Sequence, residues 1–355
     1  MVVLEHDIKE ILCIGVKAIS PYNSQPWRFR IKNNIVEIYV IRTKNFFLKL
    51  QGVSFMTLGF LLENLSEGAR HLNYNFKIIK ITGDLNLDKP CAIIELNKLN
   101  YNRKYNIDFL HLRCTNRKNY DDRAFSLEIK KDIILNFQKE ASKDFSLYFF
   151  EKNKKNKFAR ILGELETVRM DNDKMLRESF EYIRFDKEEN LEKKDLLDVE
   201  TLEYSSKMIG VMKKIKKNPF YFKFLNFFGY LSILRKKNIF HLKSSGAILT
   251  YSIKERTDKN YVKLGMLVQK QMNYFSKLGI ESQAILSGFY LLDVLHENPE
   301  IFTKKQKNII LNAKFEIEDL FNILDLNIAF LVRIGYGEKP KVVSLRKNIE
   351  EFILK

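Results

Sequence analysis

The 355-residue chain has only three cysteines, six prolines, five histidines and a single tryptophan. Cys13, Cys91 and Cys114 are an odd number at wide spacing, which excludes a disulfide framework and points to a reduced, cytoplasmic compartment. His6, His71, His111, His241 and His296 are scattered, and His111-x-x-Cys114 alone is not a metal site, so no metal is expected. No apolar run reaches 18 residues, so no membrane-spanning helix is expected. The opening Met-Val-Val-Leu-Glu-His-Asp carries acid rather than base, against a secretory signal. There is no P-loop and no Gly-x-Ser-x-Gly elbow. Gly335 and Gly337 mark a turn, not a dinucleotide fingerprint.

Present instead are ordinary globular proportions, 45% hydrophobic and 30% charged, in a chain long enough for one to three domains. The formal charge of +17 raises nucleic acid as a partner. The basic residues are spread over most of the chain, beside abundant Asn, Ile and Phe, so that partner is disfavoured.

The most structured stretch is Ser20-Pro21-Tyr22-Asn23-Ser24-Gln25-Pro26-Trp27-Arg28-Phe29. Neither Pro21 nor Pro26 suits a helix interior, and Ser20 and Gln25 precede prolines and are pushed from the α region. Apolar spacing from Ile8 to Ile19 predicts a helix entering the stretch, and the alternation after Trp27 predicts a strand leaving it. It is a rigid corner offering two amides; read from residues alone, a capped turn with Trp27 in the core is the plainer alternative.

Strands are expected at 35–42, near Phe76–Thr82 and at Ala92–Leu96, with a helix over 53–73 between them. The helix pattern Gly59…Leu72-Asn73 recurs 206 positions later as Gly265…Leu278-Gly279. Around the second copy lie the strand candidate Ala247–Ile253, the stretch Leu286–Leu295, a helix near Lys304–Phe321 and the strand Ile328–Ile334. The shared order strand, helix, strand suggests a duplication. Arg113-Cys114-Thr115-Asn116-Arg117 places a hydroxyl between forked donors, an arrangement suited to an oxyanion, though from the residues alone a solvated charge run is the favoured reading. A helix follows from about Leu127, and 158–185 reads as helical. Residues 207–237 are basic and aromatic; a lid over a pocket is favoured there over an interfacial membrane helix or a nucleic-acid surface.

The corner Ala18-x-Ser20-x-x-Asn23-x-Gln25-Pro26-Trp27-Arg28-Phe29, the Arg113-x-Thr115-Asn116-Arg117 segment and the Arg333-Ile334-Gly335-Tyr336 ending resemble the nitroreductase-type flavin oxidoreductases, in their single-chain tandem branch. This chain departs from them at Ile19 and Ala284, where proline is usual, at Leu286, near which an acid is frequent, and at Ser344, where many have lysine. The resemblance implies an α+β, nitroreductase-like fold of two fused halves, each an antiparallel-rich sheet flanked by helices, forming an intrachain pseudo-dimer that could stay monomeric. The halves would be 1–111 and 112–355, the second carrying a lid-like insert at about 155–240. It further implies FMN as cofactor, NAD(P)H as reductant and a nitroaromatic, quinone-like or other small molecule as electron acceptor. Ser20, Pro21, Asn23 and Gln25 would face the isoalloxazine, with the loop Ser282-Gln283-Ala284-Ile285 meeting the ring from below. Arg113, Thr115, Arg117 and Arg346 would hold the phosphate end. No side chain is expected to act as an acid or base. A flavin-sequestering protein, its site closed by the insert, is the alternative.

Overall fold

A computed structural model describes residues 5–41, 50–83, 85, 87–100, 104–285, 290–324 and 326–354. The chain runs through α1 (Glu5–Gly15), β1 (Trp27–Lys32), β2 (Ile35–Val40), α2 (Gln51–His71), β3 (Tyr74–Ile81), β4 (Ala92–Lys98) and α3 (Asp108–Leu112). It continues with α4 (Leu127–Gln138), β5 (Phe145–Phe150), α5 (Lys152–Asp171), α6 (Asp173–Glu181), β6 (Ile183–Arg184), α7 (Lys187–Lys193) and β7 (Leu197–Asp198). Then come α8 (Ser206–Lys217), α9 (Phe220–Phe227), α10 (Tyr230–Lys243), β8 (Ala247–Ile253) and α11 (Asp258–Lys277). The last elements are β9 (Glu281–Ala284), α12 (Leu291–Glu297), α13 (Lys304–Phe321) and β10 (Ile328–Gly335).

The architecture is α+β, with two four-stranded antiparallel sheets. Their strand orders are β1-β2-β4-β3 and β5-β8-β10-β9. Reading β1, β2, β3, β4 against β5, β8, β9, β10 gives one topology twice. Each copy has a helix before its first strand, α1 or α4, and a long helix between its second and third strands, α2 or α11.

The long helices make the central contact. A Cβ on Gly59 would lie 2.1 Å from the Val262 carbonyl and one on Gly265 2.4 Å from the Met56 carbonyl, with these added carbons 2.9 and 3.0 Å from the other glycine's Cα. The two glycines that sequence periodicity pairs at an offset of 206 are thus the two that touch. A residue meeting its own counterpart is what a pseudo-twofold axis requires.

The sheets differ in what covers them. β8 and β10 are buried along their whole length, one face against the α2–α11 core and the other against α5, α12 and α13. They therefore read as continuous apolar runs. β1 and β3 alternate, leaving one face to solvent. After β10 the chain crosses to the first sheet, where Leu354 donates to the Phe29 carbonyl beside β1 and buried Phe352 packs edge-on to Phe29.

Several expectations shift in detail. The strand expected over 35–42 is observed as β2, its last residue lying outside the described ones. The helix entering the corner ends at Gly15. The helix expected over 158–185 breaks at Asn172, whose side chain leaves α5 to cap α6 by accepting from Met175 N. β5 escaped the sequence reading, and 282–285, read as loop, begins in the edge strand β9. Ser282 and Gln283 have weak strand propensity, and pairing with β10 overrides it.

Candidate functional site

Between the end of β9, the corner and helices α5, α6 and α8–α10 lies a cavity of about 820 Å³. That is within the ~300–1,000 Å³ range of small-molecule and cofactor sites. Pro21 and Tyr22 of the corner, Arg117, and Gln283 to Ile285 line it on one side. The helices contribute a mainly apolar wall, including Met208, Phe222, Tyr230 and Leu234.

The corner is held in a costly conformation. Tyr22, Asn23 and Gln25 have φ of 50°, 54° and 47°, in the left-handed region that costs a non-glycine residue about 1 kcal/mol or more. Local bonds fix it: Asn23 N donates to the Ser20 carbonyl, Ser24 N to the Pro21 carbonyl and Gln25 N to Ser20 Oγ at 3.1 Å. The amides are engaged by the chain itself. Asn23 Nδ2 donates to the carbonyls of Leu196 and Leu345, and Gln25 Nε2 to that of Lys194 at 2.8 Å. Gln25 Oε1 accepts from Lys347 N. The loop after α7 and the C-terminal segment thus clamp the corner. Trp27 is fully buried behind it.

Beside the corner lie two arginines, Arg113 buried and Arg346 half-buried. Arg346 Nε donates to the Val16 carbonyl at 2.9 Å and Nη1 to Asn23 Oδ1 at 2.6 Å. Arg113 Nη2 donates to the Lys17 carbonyl, while its Nε and Nη1 are buried without a partner. Among the described residues neither arginine has a carboxylate. Burial, then the neighbouring Arg113, brings the Arg346 guanidinium down to about 9, and burial lowers Arg113 as well. Arg346 also donates to the carbonyls of Ala18, Ser344 and Leu345, so the unpaired donors are those of Arg113 alone. Two adjacent cations without a counter-charge, one of them buried with free donors, suit an anion, because a buried charge is stable only when paired. Arg117, on the cavity wall, makes only long contacts among the described residues, to Thr201, 3.3 Å to its carbonyl and 3.4 Å to its hydroxyl. Thr115 is half-buried between these arginines in sequence.

Sequence reasoning did not single out the network under the β9 end. Arg333, fully buried on β10, stacks on the Tyr120 ring with its guanidinium 3.9 Å from the centroid. It donates from Nε to Gln283 Oε1 at 2.6 Å, and from Nη2 to the carbonyls of Asn116 and Lys118. His241 of α10, which lines the cavity, has Nε2 3.0 Å from the same Gln283 oxygen and Nδ1 3.0 Å from Asn119. Burial, then Arg333, pushes the imidazole down to about 4, so it is neutral at physiological pH. Nε2 then carries the proton toward Gln283. The available signals were a histidine in a basic helix and an arginine inside an apolar strand.

Of the sequence-derived site residues, the structure places Pro21, Arg117, Gln283, Ala284 and Ile285 on the cavity wall. Ser20, Asn23 and Gln25 hold the corner's shape, and Arg113 and Arg346 lie together behind it. Leu286 lies outside the described residues. Among the described residues no three His, Cys, Asp or Glu side chains group as metal ligands, and no helix is long and apolar enough to cross a membrane.

No family model matches the chain, and no curated protein does. Solved structures do. The chain is similar to a nitroreductase-like family protein from Bacillus cereus (11% identity, 71% of this chain and 96% of that one, TM-score 0.35). It is also similar to an FMN-dependent nitroreductase from Mycobacterium smegmatis in complex with NADPH (11%, 68% and 94%, 0.39). A third is a nitroreductase with bound FMN from Bacteroides fragilis (9%, 68% and 92%, 0.36).

Proposed function

We propose that the chain is an FMN-dependent oxidoreductase of nitroreductase type, built from fused halves 1–111 and 112–355 with one composite flavin site. The observation that carries this reading is the Arg113–Arg346 pair, which lacks a carboxylate among the described residues and leaves two Arg113 nitrogens unpaired behind the corner whose Pro21 and Tyr22 line a cofactor-sized cavity. The residues fit the cofactor. Arg113 and Arg346 would hold its phosphate and Arg117 its ribityl chain. Pro21 and Tyr22 would bound the ring on one side, and Gln283, Ala284 and Ile285 on the other. Bound FMN would supply two-electron reductive chemistry, with NAD(P)H as reductant and a nitroaromatic, quinone-like or other small molecule as acceptor. The protein's part is to hold the ring, exclude water with the apolar helical wall, and keep the His241–Gln283–Arg333 network fixed under the β9 end.

One observation favours a second reading, a flavin-sequestering protein. Phe222 and Tyr230 of the insert face into the cavity, and the loop carbonyls of Lys194 and Leu196 occupy the corner amides. The test is the visible absorbance of the purified chain with FMN added, followed by anaerobic NADH or NADPH. Flavin bands that bleach within a turnover establish the oxidoreductase and its donor. Bands that persist favour sequestration, and a chain that takes up no FMN defeats both.

A further inference from the structure

The outward surface of the insert carries a feature the cavity does not explain. Phe224, Phe227 and Phe228 are 60%, 85% and 68% exposed, although a folded chain rarely leaves contiguous large apolar groups in water. They form one knob: Phe228 packs edge-on against Phe224 and against Phe227, with centroids 5.3 Å apart in both cases. Only Phe222 of α9 turns fully inward. The knob stands at the tip of α9, just before Gly229 turns the chain into α10 with a φ of 80°.

The sequence around it is of one charge, although Lys223 within α9 pairs with Asp173 of α6 and Arg235 of α10 with Glu164 of α5. Between residues 206 and 243 there are ten Lys or Arg and no Asp or Glu. Lys213, Lys214 and Lys217 on α8 are exposed, and none of them has an ion pair among the described residues.

We propose that this face docks on an anionic phospholipid bilayer, with the α9 phenylalanines entering the boundary between headgroups and acyl chains and the α8 lysines facing lipid phosphates. A helix of eight residues spans about 12 Å, so it sits in the interface rather than crossing the membrane. Phenylalanine rings packed edge-on into a wedge suit acyl chains better than nucleobases, which need open faces for stacking. The inference is independent of the flavin reading, because it uses only the outer faces of helices whose inner faces line the cavity.

The chain supplies its own probe. Trp27 is fully buried, so a Phe227→Trp variant adds one responsive indole over a constant background. With vesicles of phosphatidylcholine and phosphatidylglycerol in a 7:3 ratio, its emission is expected to shift to the blue and to be quenched by brominated acyl chains. Pure phosphatidylcholine should give a much weaker response. Cosedimentation of the full chain should fall at least tenfold for a Phe224→Ser, Phe227→Ser, Phe228→Ser triple variant. It should fall about fivefold for each of Lys213, Lys214 and Lys217 changed to Gln, and weaken steeply with salt. Absence of vesicle binding at low salt overturns the proposal, as does binding indifferent to the phenylalanines. Binding to a single-stranded oligonucleotide that the same triple variant abolishes, without vesicle binding, assigns the face to nucleic acid instead. Melting temperatures should not move, since all six side chains are exposed.

Discussion

Arg113 and Arg346 illustrate how a residue reveals a ligand through what it lacks. A guanidinium buried beside another, with two nitrogens unpaired, destabilises the apoprotein and gains from any anion that binds there. Two consequences of opposite sign follow for Arg113→Met. Without FMN the variant should melt at or above the wild-type temperature. Its FMN affinity should fall about a hundredfold, the ~3 kcal/mol that truncating one partner of a buried charge pair typically costs. Thermal melts with and without FMN read both; a large loss of stability without FMN would show Arg113 to be structural. His241 makes a second case. Its folded value of about 4 lies below the unfolded 6.5, so the unfolded chain binds the proton first. The stability from holding it neutral is complete above pH 6.5 and is lost as pH falls toward 4, by about 3 kcal/mol in all. The deficit of His241→Asn measured by urea at pH 7.5 should therefore shrink, or reverse, at pH 4.5. The His241 role is not legible in the sequence, whereas the resemblance already assigns Arg113 an anion. The resemblance implies a phosphate for Arg113 and Arg346 but not the carbonyls of residues 16–18 that position them, because those contacts join segments over 90 residues apart.

At the scale of elements, pattern is legible wherever burial dictates it, as for the α2 and α11 glycines and for β8 and β10, which are covered on both faces. It failed where pairing or capping decides, as for β9, β5 and the break at Asn172. The glycine crossing admits a direct test. An alanine at Gly59 puts a methyl on the Val262 carbonyl, backbone that cannot rotate away, so α2 and α11 must separate. Gly59→Ala should cost about 2–3 kcal/mol or more, seen as a lower urea midpoint with unchanged slope. Glu63 stands one turn along, at the position equivalent to Gln269. Gln269 accepts from Ile19 N at the corner. Glu63 is instead buried beside Glu67, and burial foremost raises it to about 7. A raised carboxylate contributes fully below its unfolded value of 4.5, and that contribution is lost as pH rises through 7. Glu63→Gln should thus be about 2–3 kcal/mol more stable than wild type at pH 8 and nearly equal to it at pH 4.5.

Over the whole molecule the two halves share a topology and differ in their corners. Residues 16–26 join α1 to β1, whereas only 139–144 join α4 to β5. The shorter link has room for neither two prolines nor a stretch of left-handed residues, and Glu140 in it pairs with Lys270. The first corner is completed by elements of the other half: Arg113, the insert and the C-terminal segment converge on it, and β9 lines the same cavity. Such a chain should bind one FMN and not the two that a symmetric pair would hold. Titration of apoprotein with FMN, followed by fluorescence quenching and by calorimetry, should end at one equivalent per chain. Arg113→Met and Arg346→Met should each weaken that single event, with no second event remaining at higher concentration. A stoichiometry of two would mean that the short 139–144 link still forms a site, and that the division of labour between the halves is wrong.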